Sequence, residues 1–584
     1  MIANNYFTDD EDLKLFFEHL IDWSSIVKAT EGEEFFDHEH YKKTADPRLE
    51  MAPSNVPEAI ELYRSSLESL GEFFGKEVSQ LSQTMDRKHL RYENGKVIFP
   101  EETVFIYEKF RETGLMSYSI SREAGGLALP ATVGAFFVMI MARGDVSFCM
   151  TVTLLNLAQI VARFGTKEQI EEFAAKAALG ETLFAMALTE PDFGSDLNNV
   201  RTTATKTEDG SYRINGTKRF ISQGCGLGPY PSSLLTLART GKQNGGARGL
   251  SVFLVKSSDV TVAGIETKMG IHASPTCEIV YENSFAELLG EEGLGLTRYT
   301  AGMTNFMRLG SAAGGPGGGA GGFYESKKYA EERIQFGKPI AEIPAVSEML
   351  HKIQREVNAM RLLTFETARV VDMYQHHQIR MEKANKEERE IRKEERVKTW
   401  GNLASILTPI AKYYCSEEAH KCANLAIQIH GGAGYTEDYD VSRMFRDSRI
   451  NTIYEGTSQI HVRIATGAIV AGMTADGNFR KYLETIQKEV KEPSSFLLEQ
   501  WNLLESAIKI FKSIERDETK ERVAENLMVL TSRYLCGLLY ERAILKLKEQ
   551  EHESLHRWTG DCRAYLIDST AIAKSCIYRI ENAE

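Results

Sequence analysis

Three short stretches carry residue types that could do chemistry. In Ile453-Tyr454-Glu455-Gly456-Thr457-Ser458-Gln459-Ile460 a lone carboxylate stands in a mostly apolar setting beside a glycine. Removing such a carboxylate from water raises its proton affinity and suits it to act as a general base. Thr189-Glu190-Pro191-Asp192-Phe193-Gly194-Ser195-Asp196 is a polar turn able to present hydroxyls and backbone N–H groups to a ligand, a weak signal alone. Gln428-Ile429-His430-Gly431-Gly432-Ala433-Gly434-Tyr435 follows a helix-like stretch, and its glycines let backbone approach a planar or phosphorylated ligand closely. A G-G-x-G is, however, more often just a helix terminus.

The elements that must position these stretches follow from periodicity. From Glu11 to about Leu183 apolar residues recur at helical spacing, as in Ile60, Tyr63, Leu67 and Leu70. Between about Ala187 and Leu296 short runs such as Leu234 to Leu237 and Leu250 to Val255 are broken by Asp-Gly, Asn-Gly and Gly-Gly pairs, which predicts a small all-β domain. Helical spacing returns after Thr297. Leu497, Trp501, Leu504, Ile508 and Phe511, then Leu527, Leu530, Tyr534 and Leu538, step by three and four as a packing stripe requires. The charged stretch from Arg380 to Lys398 reads as a solvated helix or loop. The segments predicted are 1–186 helical, 187–296 all-β, 297–472 helical and 473–584 additional helices.

Composition removes several function classes. The 584 residues are 42% hydrophobic and 26% charged, enough to bury a large core and to exclude a disordered chain. A formal charge of -13 argues against a general affinity for nucleic acid or anionic membrane surfaces. The eight cysteines show no C-x-x-C, and the loose grouping of Cys415, His420 and Cys422 lacks a fourth ligand, so neither metal nor disulfide is expected. The acidic N-terminus has no signal-peptide pattern, and the apolar run Gly134 to Ala142 is too short to span a bilayer. These features predict a cytoplasmic protein without membrane insertion.

Taken in order, the three stretches resemble the acyl-CoA dehydrogenase family of flavoproteins, over roughly Gly114 to Gly467. Ala142-Arg143-Gly144-Asp145, Lys218-Arg219-Phe220-Ile221-Ser222, Tyr329-Ala330-x-x-Arg333 with Gln335-Phe336-Gly337, and Arg443-x-x-Arg446-Asp447 match the same family. Asn5 to Asp9, Gly270 to Cys277 and the extra C-terminal helices resemble its longer subgroup. The resemblance implies that the β segment is a barrel and the next a helical bundle, making a mainly α protein with a central β-barrel domain. It also implies FAD, an acyl-CoA substrate in fatty acid beta-oxidation, an electron-transfer flavoprotein as acceptor, and a homodimer in which the C-terminal helices cover a surface that shorter tetrameric relatives use.

The same resemblance assigns roles. Glu455 becomes the base that abstracts the α-proton; the family's alternative base position, before Arg308, holds Met307, which cannot serve. Thr189 and Ser195 fall at the isoalloxazine edge, Ser222 near flavin N5 and Phe220 over a flavin face. Arg333, Phe336, Gln428 and Gly432 match positions that hold the ADP half of FAD across a subunit boundary, with Thr457 and Gln459 beside the base. Ser195, Asn305, Arg308, Tyr454 and Gly456 are implied on the substrate side, although the family commonly has Asp where Asn305 stands.

The run Gly314-Gly315-Pro316-Gly317-Gly318-Gly319-Ala320-Gly321-Gly322 replaces an Ala-rich helix of the family. With about 1 kcal/mol lost per Gly and about 3 per Pro relative to Ala, propensity cannot make it helical. Tertiary packing must hold it, or it is not a regular helix. The readings open are close backbone packing or drift without functional meaning, a pocket widened for a bulky acyl group, and a phosphate-cradling loop, against which the missing Lys-Ser/Thr speaks. An acyl-CoA oxidase, an enoyl-CoA reductase, a flavin-free relative and a DNA-binding relative complete the alternatives.

Overall fold

The computed structural model describes residues 1–241 and 245–583. It divides into two compact units, Met1–Tyr6 with Glu33–Gly310, and Phe7–Gly32 with Ser311–Glu584.

In the first unit, α1 (Ala131–Gly144) is apolar on nearly every face and correspondingly buried, as a core helix must be. Asp145 ends it and caps α2 (Val146–Leu155), accepting a hydrogen bond from the Phe148 N–H. The stretch Val146–Phe164 is long and apolar enough to cross a membrane by length and composition, which the sequence reading did not single out. Within the unit 78% of its most apolar window is buried, the behaviour of a core helix.

Seven strands follow: β1 (Leu183–Ala187), β2 (Thr203–Lys206), β3 (Tyr212–Ser222), β4 (Ser232–Arg239), β5 (Leu250–Lys256), β6 (Thr261–Ile265) and β7 (Thr276–Leu288). Pairings β4–β2, β2–β3, β3–β7, β7–β5 and β5–β4 close a five-stranded barrel, with β1 parallel to β4 and β6 antiparallel to β7. Ile214, Leu234, Phe253, Ile279 and Tyr281 fill it. Closure leaves those five strands without a free edge.

The long helix α3 (Ala301–Glu332) contains the whole glycine run and Pro316. The reason is packing in the second unit. A Cβ on Gly315 would lie 2.6 Å from the Cys415 carbonyl oxygen, and one on Gly319 would lie 2.9 Å from Val357 Cγ2. Cys415 belongs to α5 (Glu395–His430) and Val357 to α4 (Pro344–Lys383), so only glycine lets α3 approach both. Gly314 and Gly318 differ, with open space at the Cβ position.

After α6 (Ser458–Gly472) come α7 (Asn478–Val490), α8 (Ser495–Ser513), α9 (Asp517–Glu549) and α10 (Leu555–Glu581). Their stripe residues Leu497, Leu504, Leu527 and Leu538 are buried, and so is Arg533, a charge the periodicity did not reveal. Arg533 donates to Glu356 (2.9 Å) and Glu418 (2.8 Å), and Arg542 to Glu366 (2.6 Å). Arg557 and the Trp558 indole N–H both reach Asp12. The charged excursion forms the end of α4, a short helix Glu388–Lys393 and the start of α5, largely exposed. All eight cysteines are free thiols, and His420 Nδ1 lies 2.8 Å from Ser448 Oγ. Among the described residues no group of three or more His, Cys, Asp or Glu is placed to hold a metal ion.

Candidate active site

The first unit brings Thr189, Phe220 and Ser222 together. The Thr189 loop follows β1 and is stapled to β3 from within. Lys218, fully buried, donates from Nζ to the Leu188 carbonyl (2.8 Å) and to Glu190 (3.0 Å), while Glu190 also accepts from the N–H groups of Arg201 (2.7 Å) and Thr202 (2.8 Å). The Arg219 N–H donates to the Thr189 carbonyl (2.9 Å), which lays the loop beside the end of β3. Burial pushes the Lys218 ammonium down to about 8 against the opposing pull of Glu190. Burial alone would raise Glu190, but Lys218 and the Thr202 bonds hold it below its ordinary value.

A register shift between Lys218 and Ile221 explains the exposure of the aromatic ring. The irregularity gives Phe220 a φ of 62° and leaves it 55% exposed while its neighbours Lys218 and Ile221 point inward. Ser222, half-buried, ends β3, and Ser195 is exposed on the loop. Asn305 and Arg308 lie one turn apart on α3, the guanidinium donating to the Asn305 side-chain Oδ1 at 3.4 Å.

In the second unit Glu455 occupies the turn between the 3₁₀ segment Arg449–Thr452 and α6. Its φ is 57° and that of Gly456 is 95°, and its Oε2 is buried. His461 Nε2 lies 3.2 Å from the Glu455 carbonyl, so Nε2 carries the proton and donates. A Cβ on Gly456 would sit 3.1 Å from the same nitrogen. Thr457 caps α6 by accepting from the Ile460 N–H (3.4 Å), and Gln459 is exposed on its first turn. Lys412, in α5, reaches the same turn from beneath.

A second strip of that unit carries Arg333, Phe336, Gln428 and Gly432, all exposed. Phe336 stands at a hairpin tip with φ 51° and 92% exposure, and Tyr435 is 90% exposed. Tyr329 on α3 stacks on His430 at the end of α5 (4.3 Å between centroids), with Tyr439 edge-on to both. That stack makes neighbours of the segments bearing Arg333 and Gln428. At Gly432 nothing lies within 4 Å of a Cβ position, leaving backbone open to a ligand.

Sequence reasoning missed Lys412 and His461, and quoted Lys218 and Glu190 without giving either a role. The available signal was a solitary cation inside an apolar helical or strand run, as in Ile410-Ala411-Lys412-Tyr413.

Comparison with known proteins gives three successive matches: residues 63–181 to "Acyl-CoA dehydrogenase, N-terminal domain", 185–284 to the middle domain and 293–470 to the C-terminal domain. The chain is 32% identical to a 3-methylmercaptopropionyl-CoA dehydrogenase of Ruegeria pomeroyi, over 75% of this chain and 76% of that one. It is 33% identical to an acryloyl-CoA reductase (NADH) of Anaerotignum propionicum, over 67% and 90%. In fold it resembles an acyl-CoA dehydrogenase of Bacillus anthracis solved with FAD, at TM-score 0.72, 23% identity and 89% of each chain.

Proposed function

The chain belongs to the acyl-CoA dehydrogenase family, and we propose that it removes the α-proton and β-hydride of an acyl-CoA thioester to give the trans-2-enoyl-CoA. The observation that carries this reading is Glu455: a carboxylate with a buried oxygen, on a turn fixed by His461 and followed by a glycine whose positive φ and closeness to His461 leave no room for a side chain.

FAD, when bound, supplies the hydride acceptor. The residues present fit it: the Ser222 hydroxyl and the outward Phe220 ring suit a flavin edge and face, Thr189 is bonded to the adjoining strand end with Ser195 exposed further along its loop, and open backbone at Gly432 with Arg333, Phe336 and Gln428 suits the ADP half. Arg333 would donate to the pyrophosphate in a fork that Lys cannot copy. Thr457 and Gln459, on the first turn of α6, would contact the cofactor next to the base.

Glu455 takes the α-proton on its carboxylate. Desolvation by the acyl chain raises its proton affinity for that step, and its own backbone N–H donates to the thioester carbonyl, where negative charge develops. The family resemblance assigns substrate contacts to Ser195, Asn305 and Arg308 in the first unit and to Tyr454 and Gly456 in the second. An electron-transfer flavoprotein takes the electrons onward in the cytoplasm. The chain works as a homodimer, a reading supported by two bare aromatic rings, Phe336 and Tyr435, at the ADP strip. A stable tetramer or a monomer in light scattering would contradict it.

The test is an anaerobic titration of the flavin absorbance with straight, branched and cyclic acyl-CoA thioesters. Bleaching by one class that disappears in Glu455→Gln, with flavin retained, is the expected result. A yellow protein that no saturated thioester bleaches, but that enoyl-CoA reoxidises after reduction, would reverse the direction. The likeness to the acryloyl-CoA reductase favours that second reading.

A further inference from the structure

Lys412 stands midway along α5, with 0% of its surface exposed, between the buried residues Ala411 and Tyr413. An ammonium taken out of water is tolerated only where its N–H groups are bonded. Its Nζ donates to the carbonyls of Asn451 (2.6 Å) and Gly456 (3.1 Å), and the Tyr454 ring centroid lies 5.8 Å away, within cation–π range. These three partners bracket Glu455 on both sides in sequence.

The same helix holds the turn at a second point, where Ser458 Oγ donates to Glu417 at 2.5 Å. Between those anchors Glu455 and Gly456 take successive positive φ angles. A non-glycine residue in that region persists only where its surroundings over-determine it. His461 fixes one carbonyl of the turn, and Lys412 fixes the next.

Building on the reading of Glu455 as the base, we propose that Lys412 is a positioning residue for proton abstraction: it clamps the carbonyls flanking Glu455, so that the carboxylate and the Glu455 N–H meet the thioester together. Without the ammonium, the Asn451 and Gly456 carbonyls lose their donor. The turn then samples other backbone states in which carboxylate and N–H no longer converge.

The experiment compares the wild-type holoenzyme with Lys412→Met, Lys412→Gln and Lys412→Arg. Hydrogen–deuterium exchange of the peptide spanning 450–460 is expected to accelerate about tenfold in Lys412→Met, with 183–240 unchanged. Flavin content and the KM for thioester stay within about threefold while kcat falls about 100-fold, because misplacement of the base acts on the chemical step. Arg, which keeps charge and donors, restores most of that loss, and Gln restores less. Exchange at 450–460 within about twofold of wild type, or an unchanged kcat, overturns the proposal. If the Met variant does not fold, equal kcat for Arg and Gln overturns it instead. A wild-type protein that no thioester bleaches sinks the functional reading, and the exchange comparison still decides whether Lys412 holds the turn.

Discussion

At the residue scale, buried lysines organise this protein's loops. Lys218 holds the Thr189 loop through Glu190, and the pair sits where neither charge reaches water. Such a pair adds little net stability, but breaking it leaves one charge buried alone, a loss of about 3–5 kcal/mol. Lys218→Met should therefore lower the free energy of unfolding by about that amount and weaken FAD retention. Adding Glu190→Gln should recover part of the stability, and urea unfolding with a flavin-release assay reads both. Equal stability of the single and double variants would show that Glu190 bears no penalty.

At the element scale, the glycine-rich stretch of α3 separates propensity from packing. Gly314 and Gly315 are adjacent in the same helix, yet a Cβ meets nothing at the first and the Cys415 carbonyl oxygen at the second. Gly314→Ala should gain up to about 1 kcal/mol from helix propensity alone. Gly315→Ala should instead lose about 1–3 kcal/mol, because the methyl must push α3 away from α5. Opposite shifts in the urea midpoint are the expected outcome. Two gains of equal size would mean that the close approach is not what selects glycine at 315.

At the scale of the whole molecule, the C-terminal helices complete the charge balance of the second unit. Ending the chain after Met473 removes Arg533, Arg542 and Arg557, the partners of Glu356, Glu366, Glu418 and Asp12. Breaking the buried Arg533 pairs costs about 3–5 kcal/mol each, and the partly exposed Arg542 and Arg557 pairs add less. The sum rivals the total stability of about 5–15 kcal/mol that a folded protein has. The truncated chain should not fold, as soluble yield and circular dichroism would show.

The same pairs set the acid limit. Burial would raise Glu366, but Arg369 and Arg542 hold it well below the ordinary glutamate value. A depressed folded-state value means stability that is present above about pH 4.3 and lost as pH falls through the folded value. Unfolding midpoints followed from pH 7 to 3 should drop steeply in the wild type, and less steeply in Glu366→Gln.

The sequence by itself determined the succession of helical, all-β and helical segments, because apolar period and Gly-based turns are local properties. It also pointed to the stretch around Glu455, whose carboxylate, glycine and capping threonine lie within three residues. Only the tertiary structure decided why the glycine run is helical, since its stabilising contacts come from Val357 and Cys415, distant in sequence. The same holds for Lys412, Lys218 and the arginines of the C-terminal helices. A cation has no period that betrays its partner. What makes it tolerable in a core, a carbonyl or carboxylate brought up by another element, exists only once the chain has folded.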